Sequence, residues 1–274
     1  MSRGETVAFI GAGNMATSLV GGLVADGYAP QHLWVTNPSL PKLETLQQQF
    51  KVNITQDNLQ AVASAEIIVL AIKPQKMQAV LRELSSSLGT KLLISVAAGI
   101  PTTQLQTWLG NQPIAIIRCM PNTPALIGAG VTGMYATPSI TPAQKALAES
   151  IMQAVGSVLW VDKEEQIDIV AALSGSGPAY FFRVMEALQA GAEKLGLSSD
   201  QANMLTLQTA LGAAKMAAIS QESLKTLREQ VTSPGGMTAK AISALEAGGI
   251  DQLFYAALCA GRQRAQEMAE ELKG

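Results

Sequence analysis

The stretch Thr6-Val-Ala-Phe-Ile-Gly-Ala-Gly-Asn-Met-Ala16, "TVAFIGAGNMA", decides how this chain is read. An apolar run, Thr6–Gly11, ends in a glycine-rich turn. A helical pattern, Asn14–Ala25, follows at once. In such a strand–turn–helix unit the first glycine makes a tight turn and the second lets the backbone approach a pyrophosphate. The third position needs only a small residue, and Ala16 meets that need. Free N–H groups at the helix start then face the phosphates. Gly11, Ala12, Gly13, Asn14, Met15 and Ala16 are therefore expected to bind a dinucleotide.

Working outward, further apolar runs follow at Leu33–Thr36, Glu66–Ile72, Leu92–Val96, Ile114–Arg118 and Val131–Tyr135, with a helix at Lys42–Phe50. Continuous rather than alternating apolar runs suit a sheet covered on both faces. Strands interleaved with helices predict parallel βαβ units, hence an α/β Rossmann-type domain. From Glu164 the pattern turns helical. The segments are Glu164–Leu173, Ala179–Leu195, Ser198–Ile219, Ser223–Gln230, Thr238–Ala247 and Asp251–Leu272. Ser198 with Gln201 three residues later forms a capping-box signature. The expected organisation is a dinucleotide domain over residues 1–162 and an all-α domain over 163–274.

Composition narrows the partners. Of 274 residues 48% are apolar and 15% charged, with 19 Lys+Arg against 21 Asp+Glu and a net charge of −2. No basic stripe points to nucleic acid. Mean hydropathy is +0.21, yet no run reaches the roughly 18 uncharged apolar residues that span a bilayer. The surplus apolar character is expected to be covered between subunits. Cys119 and Cys259 are far apart and lack metal spacing, as in a reducing compartment. With no charged-then-apolar leader, the expected location is the cytoplasm.

An NAD site usually ends its second strand with an acid that holds the ribose 2′-hydroxyl. Here the strand ends Val35-Thr-Asn-Pro-Ser39, and Asn37 stands 24 residues after Gly13. Thr36, Asn37 and Ser39 carry no negative charge, and Lys42 adds a positive one. NADP(H) is therefore preferred, with NAD(H) also allowed. Three more strand ends fall on the same edge. Ala71-Ile72-Lys73-Pro74 turns the chain over the cofactor. Ala97-Ala98-Gly99 offers small residues to a flat ring. Met120-Pro121-Asn122-Thr-Pro124 is a rigid polar loop.

The chain has one histidine, His32, before the second strand and away from that edge. This removes dehydrogenases with a histidine base. No G-x-S-x-G elbow, Cys–His pair or metal cluster is present. A protonated C=N bond suits such a site, because it accepts hydride without a strong acid. In Val231–Ile242, "VTSPGGMTAKAI", Pro234 stops one helix and Gly235-Gly236 bare backbone N–H groups. Thr238 either caps the next helix or donates to a substrate nitrogen. Ser174-Gly-Ser176-Gly-Pro-Ala-Tyr180 reads as a helix-breaking turn whose serines cap the following helix.

The segments "FIGAGNMA", "AIKPQ", "SVAAGI", "RCMPNTPALIGAG", "LSGSGPAYFF", "LGAAKM" and "VTSPGGMTAKAI" together resemble the pyrroline-5-carboxylate reductases over nearly the whole chain. The resemblance implies NAD(P)H-dependent reduction of L-1-pyrroline-5-carboxylate to L-proline. It implies a homodimer through the C-terminal helices, with larger assemblies in many members. It places Ser39 and Asn58 at the adenosine end. It places Thr238 near the substrate nitrogen, and Gly235 and Gly236 at its carboxylate. Ser174, Ser176, Ser233 and Met237 join that pocket. Two departures stand out. The family's Glu-x-Pro loop reads Ser220-Gln-Glu-Ser-Leu224, so Gln221 or Glu222 takes the Glu position. Met237 replaces a smaller residue. Two other readings compete: a 3-hydroxyacid dehydrogenase with Lys215 as base, and a non-catalytic NADP-binding sensor.

Overall fold

The computed structural model describes residues 4–272; the ends of the two expected domains, residues 1–3 and 273–274, lie outside the described residues. The chain forms two compact units. One holds the residues up to Ser176 together with those from Ala260 onward, and the other is Gly177–Cys259.

In the first unit, strands and helices alternate: β1 (Val7–Ile10), α1 (Asn14–Ala25), β2 (Leu33–Thr36), α2 (Leu40–Phe50), β3 (Asn53–Thr55), α3 (Asn58–Ala63), β4 (Ile67–Leu70), α4 (Pro74–Leu84), β5 (Leu92–Ser95), α5 (Thr102–Trp108) and β6 (Ala115–Met120), of which β3 is not among the expected runs. Next come β7 (Gly130–Ala136), α6 (Pro142–Gln153), β8 (Gly156–Trp160) and α7 (Gln166–Val170). The sheet order is β3-β2-β1-β4-β5-β6-β7-β8. The order reverses between β1 and β4, where open α/β sheets bind ligands. Register is tight there, with Ile10 opposite Thr36 on one side and Leu70 on the other.

β1 and β4 are apolar throughout because both faces are covered. Val7 and Phe9 belong to one core and Ala8 and Ile10 to the other. Ile67 and Val69 divide from Ile68 and Leu70 in the same way. That is the period-two consequence of strand geometry.

The sheet is not wholly parallel. β7 runs antiparallel to β6, while β8 is parallel to β7. The link from Met120 to Gly130 is one 3₁₀ segment, Thr123–Ile127. A parallel return needs a crossover of a dozen or more residues, so this short link forces the reversal.

The second unit contains α8 (Gly177–Lys194), α9 (Ser199–Ile219), α10 (Leu224–Gln230), α11 (Met237–Ala247) and the start of α12 (Ile250–Glu271). Ser198 accepts from Gln201 N–H and Gln201 reaches back, completing the expected capping box. Phe181 (68%), Phe182 (66%) and Leu253 (67%) remain exposed on these helices, with Leu188, Met204 and Met216. Apolar surface of that extent marks a contact face. Among the described residues, no helix is long and apolar enough to cross a membrane.

The expected break around Ser174–Tyr180 is not a turn. α7 continues into a π-helical segment, Ala171–Gly175, and Ser176 keeps right-handed helical dihedrals before α8. Ser176 N–H reaches Ala171 O at 2.9 Å, five residues back. Ser174 does not cap α8; its hydroxyl donates to Val170 O at 3.0 Å.

Candidate active site

The glycine-rich turn sits at the switch point. Gly11 has φ +112°, and a Cβ there would lie 2.4 Å from Ala71 O. No other residue fits between β1 and the end of β4. Ala16 is fully buried, packing α1 onto the sheet. Gly13 is the N-cap of α1, with extended dihedrals and no side-chain cap. Gly13 is exposed, and a Cβ on it would have nothing within 4 Å. The first-turn N–H groups at Asn14, Met15 and Ala16 lack intrahelical acceptors. An open glycine beside free N–H donors fits a dinucleotide pyrophosphate.

The end of β2 is held from the side. Thr36 Oγ1 donates to Asn58 Oδ1 at 2.7 Å, and Ser39 N–H donates to Asn37 Oδ1 at 2.9 Å. Ser39 is the N-cap of α2 without using its hydroxyl for that purpose. Thr36, Asn37, Ser39 and Asn58 thus cluster without a carboxylate. A 2′-phosphate meets no repulsion from them.

Along the same edge, Lys73 is the exposed N-cap of α4, with Pro74 opening that helix. Ala71 and Ile72 are half-buried. Ala97 is buried and Ala98 half-buried. Gly99, at φ +71°, lies under α12, where a Cβ would stand 3.1 Å from Met268 Cβ. This glycine serves helix packing as well as any ring. Pro121 and Asn122 are buried. Both ends of the Asn122 amide are engaged: Nδ2 donates to Ser174 O at 3.1 Å and Oδ1 accepts from Val131 N–H at 2.9 Å. One bond at each end leaves the amide a second N–H and a second lone pair, besides its backbone groups, to offer a ligand.

In the second unit, Ser233-Pro234-Gly235-Gly236 has the form of a type II turn, with Pro234 second and Gly235 third at φ +71°. Gly236 N–H donates to Ser233 O at 3.0 Å, so of the two expected bare donors only Gly235 remains without a turn partner. Helix α10 ends at Gln230, before Pro234 is reached. The N-cap of α11 is Gly236, without a side-chain bond. Thr238 is the second residue of that helix and does not cap it. Its side chain is exposed, as are Ser233 and Met237. Lys215 is an exposed position of α9. His32 is half-buried beside β2, with its Nδ1 shielded and unpartnered.

A buried ion network escaped sequence reading. Arg118 on β6 is 3% exposed. Its Nη2 donates to Asp168 at 2.8 Å and Nη1 to Glu164 at 3.2 Å. Glu164 also accepts from Thr102 N–H and Thr102 Oγ1, both at 2.6 Å. The network joins β6, α5 and the start of α7. Burial, then the charges of Glu164 and Glu165, push the nearby Tyr135 phenol up. Among the described residues no His/Cys/Asp/Glu group has the makings of a metal site.

The glycine-rich turn thus lies at the switch point of the sheet, where such folds receive a dinucleotide. Known proteins agree. The model for pyrroline-5-carboxylate reductase dimerisation matches residues 164–268, and that for NADP oxidoreductases, coenzyme F420-dependent, matches residues 6–99. A pyrroline-5-carboxylate reductase of Pseudomonas aeruginosa is 48% identical over 97% of each chain. The structure of a pyrroline-5-carboxylate reductase from Coxiella burnetii superposes with TM-score 0.93 and 49% identity, covering 97% of this chain and 98% of that one. The Plasmodium falciparum pyrroline carboxylate reductase, solved with NADP bound, has TM-score 0.86 and 28% identity over 97% of this chain and 99% of that one. With similarity running over nearly the full length of both chains, this chain belongs to the pyrroline-5-carboxylate reductase family.

Proposed function

We propose that the protein reduces L-1-pyrroline-5-carboxylate to L-proline with NADPH, or less favourably NADH. The near-full-length similarity to pyrroline-5-carboxylate reductases carries this reading. The cofactor, when bound, supplies the hydride for the imine carbon. Gly13 and the first-turn N–H groups of α1 hold its pyrophosphate. Thr36, Asn37, Ser39 and Asn58, free of carboxylate, support the choice of NADP(H). Ala71–Pro74, Ala97–Gly99 and the Pro121–Asn122 backbone are assigned to the rest of the cofactor.

For the substrate, the carboxylate is assigned to Gly235 N–H and to the free donors opening α11, whose positive end favours an anion. Thr238, freed from capping, is assigned to the imine nitrogen, where its hydroxyl steadies the protonated C=N. Ser174, Ser176, Ser233, Gly236 and Met237 are assigned to the same substrate.

The proposed division is a nucleotide-binding domain, 1–162, and a dimerisation and substrate domain, 163–274. The exposed Phe181, Phe182 and Leu253 support a homodimer through the C-terminal helices, open to larger assembly. The proposed compartment is the cytoplasm. The deciding experiment follows the absorbance of reduced nicotinamide with pyrroline-5-carboxylate, using NADPH and NADH separately. Consumption of NADPH with formation of proline is expected. Cofactor binding without consumption would instead indicate a sensor.

A further inference from the structure

The π-helical segment has a cause in the sequence. In an α-helix the carbonyl of Ser174 would accept from the N–H of residue 178. That residue is Pro178, which has none. A proline ring also crowds the carbonyl four residues back, and helices answer by kinking or widening locally. Here the chain widens: Ser176 N–H bonds to Ala171 O instead. Ser174 O is left without its helical donor. Buried or half-buried carbonyls are rarely left so.

Asn122 supplies the missing donor. Its side chain, 8% exposed, gives Nδ2 to Ser174 O at 3.1 Å. Its own position is fixed by the bond from Val131 N–H on β7 to Oδ1. The methyl of Met120 lies against Gly175, where a Cβ would come within 2.6 Å of it. Met120, which ends β6, and Asn122, in the loop after it, thus grip the widened helical turn at two adjacent residues. π-bulges inside α-helices recur at functional sites, where the extra residue re-aims neighbouring groups.

We propose that Asn122 is a positioning residue: by replacing the N–H that Pro178 lacks, it holds the Ser174–Ser176 turn in the geometry that receives substrate. This rests on the assignment of Ser174 and Ser176 to the substrate. It also accounts for a buried asparagine with both amide ends committed to backbone of different segments.

The test is a rescue. Asn122→Asp keeps an acceptor for Val131 N–H, removes the donor to Ser174 O and sets two oxygens against each other. The expected result is a rise of about tenfold in KM for pyrroline-5-carboxylate, the size of one lost hydrogen bond, well beyond any change in NADPH affinity read by fluorescence titration. Adding Pro178→Ala restores an N–H at position 178 and is expected to bring KM back towards wild type. A merely structural role would give additive losses in the double variant. Unchanged KM in Asn122→Asp, a loss of NADPH affinity in its place, or no rescue by Pro178→Ala would each overturn the proposal. Asn122→Ser, which removes the donor without adding charge, is measured alongside. If the Asn122 variants fold only when Pro178→Ala is present, that restoration supports the proposal. If Pro178→Ala restores neither folding nor KM, it is overturned. A wild-type enzyme inert towards pyrroline-5-carboxylate would sink the proposed function instead, which separates the two failures.

Discussion

A Cβ on Gly11 would lie 2.4 Å from the carbonyl oxygen of Ala71. The first glycine of the dinucleotide turn is thus required by the fold itself, before any cofactor arrives. Gly13, two residues on, faces open space. The two glycines should fail differently. Gly11→Ala should lose at least about 1–3 kcal/mol of stability from backbone strain alone. Gly13→Ser should fold normally, because its extended N-cap dihedrals suit serine. It should weaken NADPH binding by about tenfold or more, since the side chain occupies the pyrophosphate approach. Urea melts and cofactor titration of both variants separate the effects.

Arg118→Met should leave Glu164 and Asp168 without their shared cation. Breaking a buried pair from one side costs about 3–5 kcal/mol. The measurement is the urea unfolding midpoint. The triple change that makes all three residues apolar should recover only part of the loss: no uncompensated charge then remains, but the buried Thr102 N–H and hydroxyl lose their Glu164 acceptor.

Burial pushes the Cys119 thiol well above its ordinary range. It should resist iodoacetamide at pH 8 in the native protein and react in urea, as mass spectrometry would show. The linkage sign follows from a raised folded pKa. The neutral thiol's contribution is full below about pH 8.5, where the unfolded thiol begins to ionise, and declines as pH rises further. The urea midpoint of wild type should therefore fall between pH 8 and 10 by more than that of Cys119→Val.

Thr238→Ala should lower kcat by about a hundredfold, the scale of one lost transition-state donor. Helix α11 should be unaffected, because Gly236 and not Thr238 is its N-cap. Cofactor affinity should be unchanged; a large loss would contradict the assignment of Thr238 to substrate.

Lys215→Met should retain most of the turnover with pyrroline-5-carboxylate, since the side chain sits at an exposed position of α9. Abolished turnover would revive the hydroxyacid dehydrogenase reading with Lys215 as base.

Local signals were the legible ones. The α1 limits, Asn14–Ala25, and the β2 limits, Leu33–Thr36, were read as the structure has them, because a glycine turn and an apolar run announce themselves within a few residues. The Ser198–Gln201 box was legible for the same reason. β3 and β8 were not. β3 is three half-buried residues, and β8 alternates between exposed and half-buried positions at the sheet edge. Neither presents a continuous apolar run. The reversed β7 depends on a link too short for a crossover, which composition does not reveal. In the site, the Gly11–Ala16 turn could be read from spacing. The tie from Asn122 to Ser174 joins residues 52 apart, and Arg118 to Asp168 spans 50. No periodicity encodes such pairs. Pro178 did carry a signal: it was read as a helix breaker, whereas the helix widened and found a donor from another segment.

The end of α12 belongs to the first unit, where Met268 covers Gly99 and Leu272 packs against one of the two cores of the sheet. During synthesis the sheet therefore leaves the ribosome long before the residues that cover Gly99. Domains usually fold as units, the N-terminal one first. Here the early unit is expected to keep an apolar seam open until the last helix has been made. A nascent chain stalled before Ala260 should accordingly expose that seam to chaperones, although every strand of the sheet is already present.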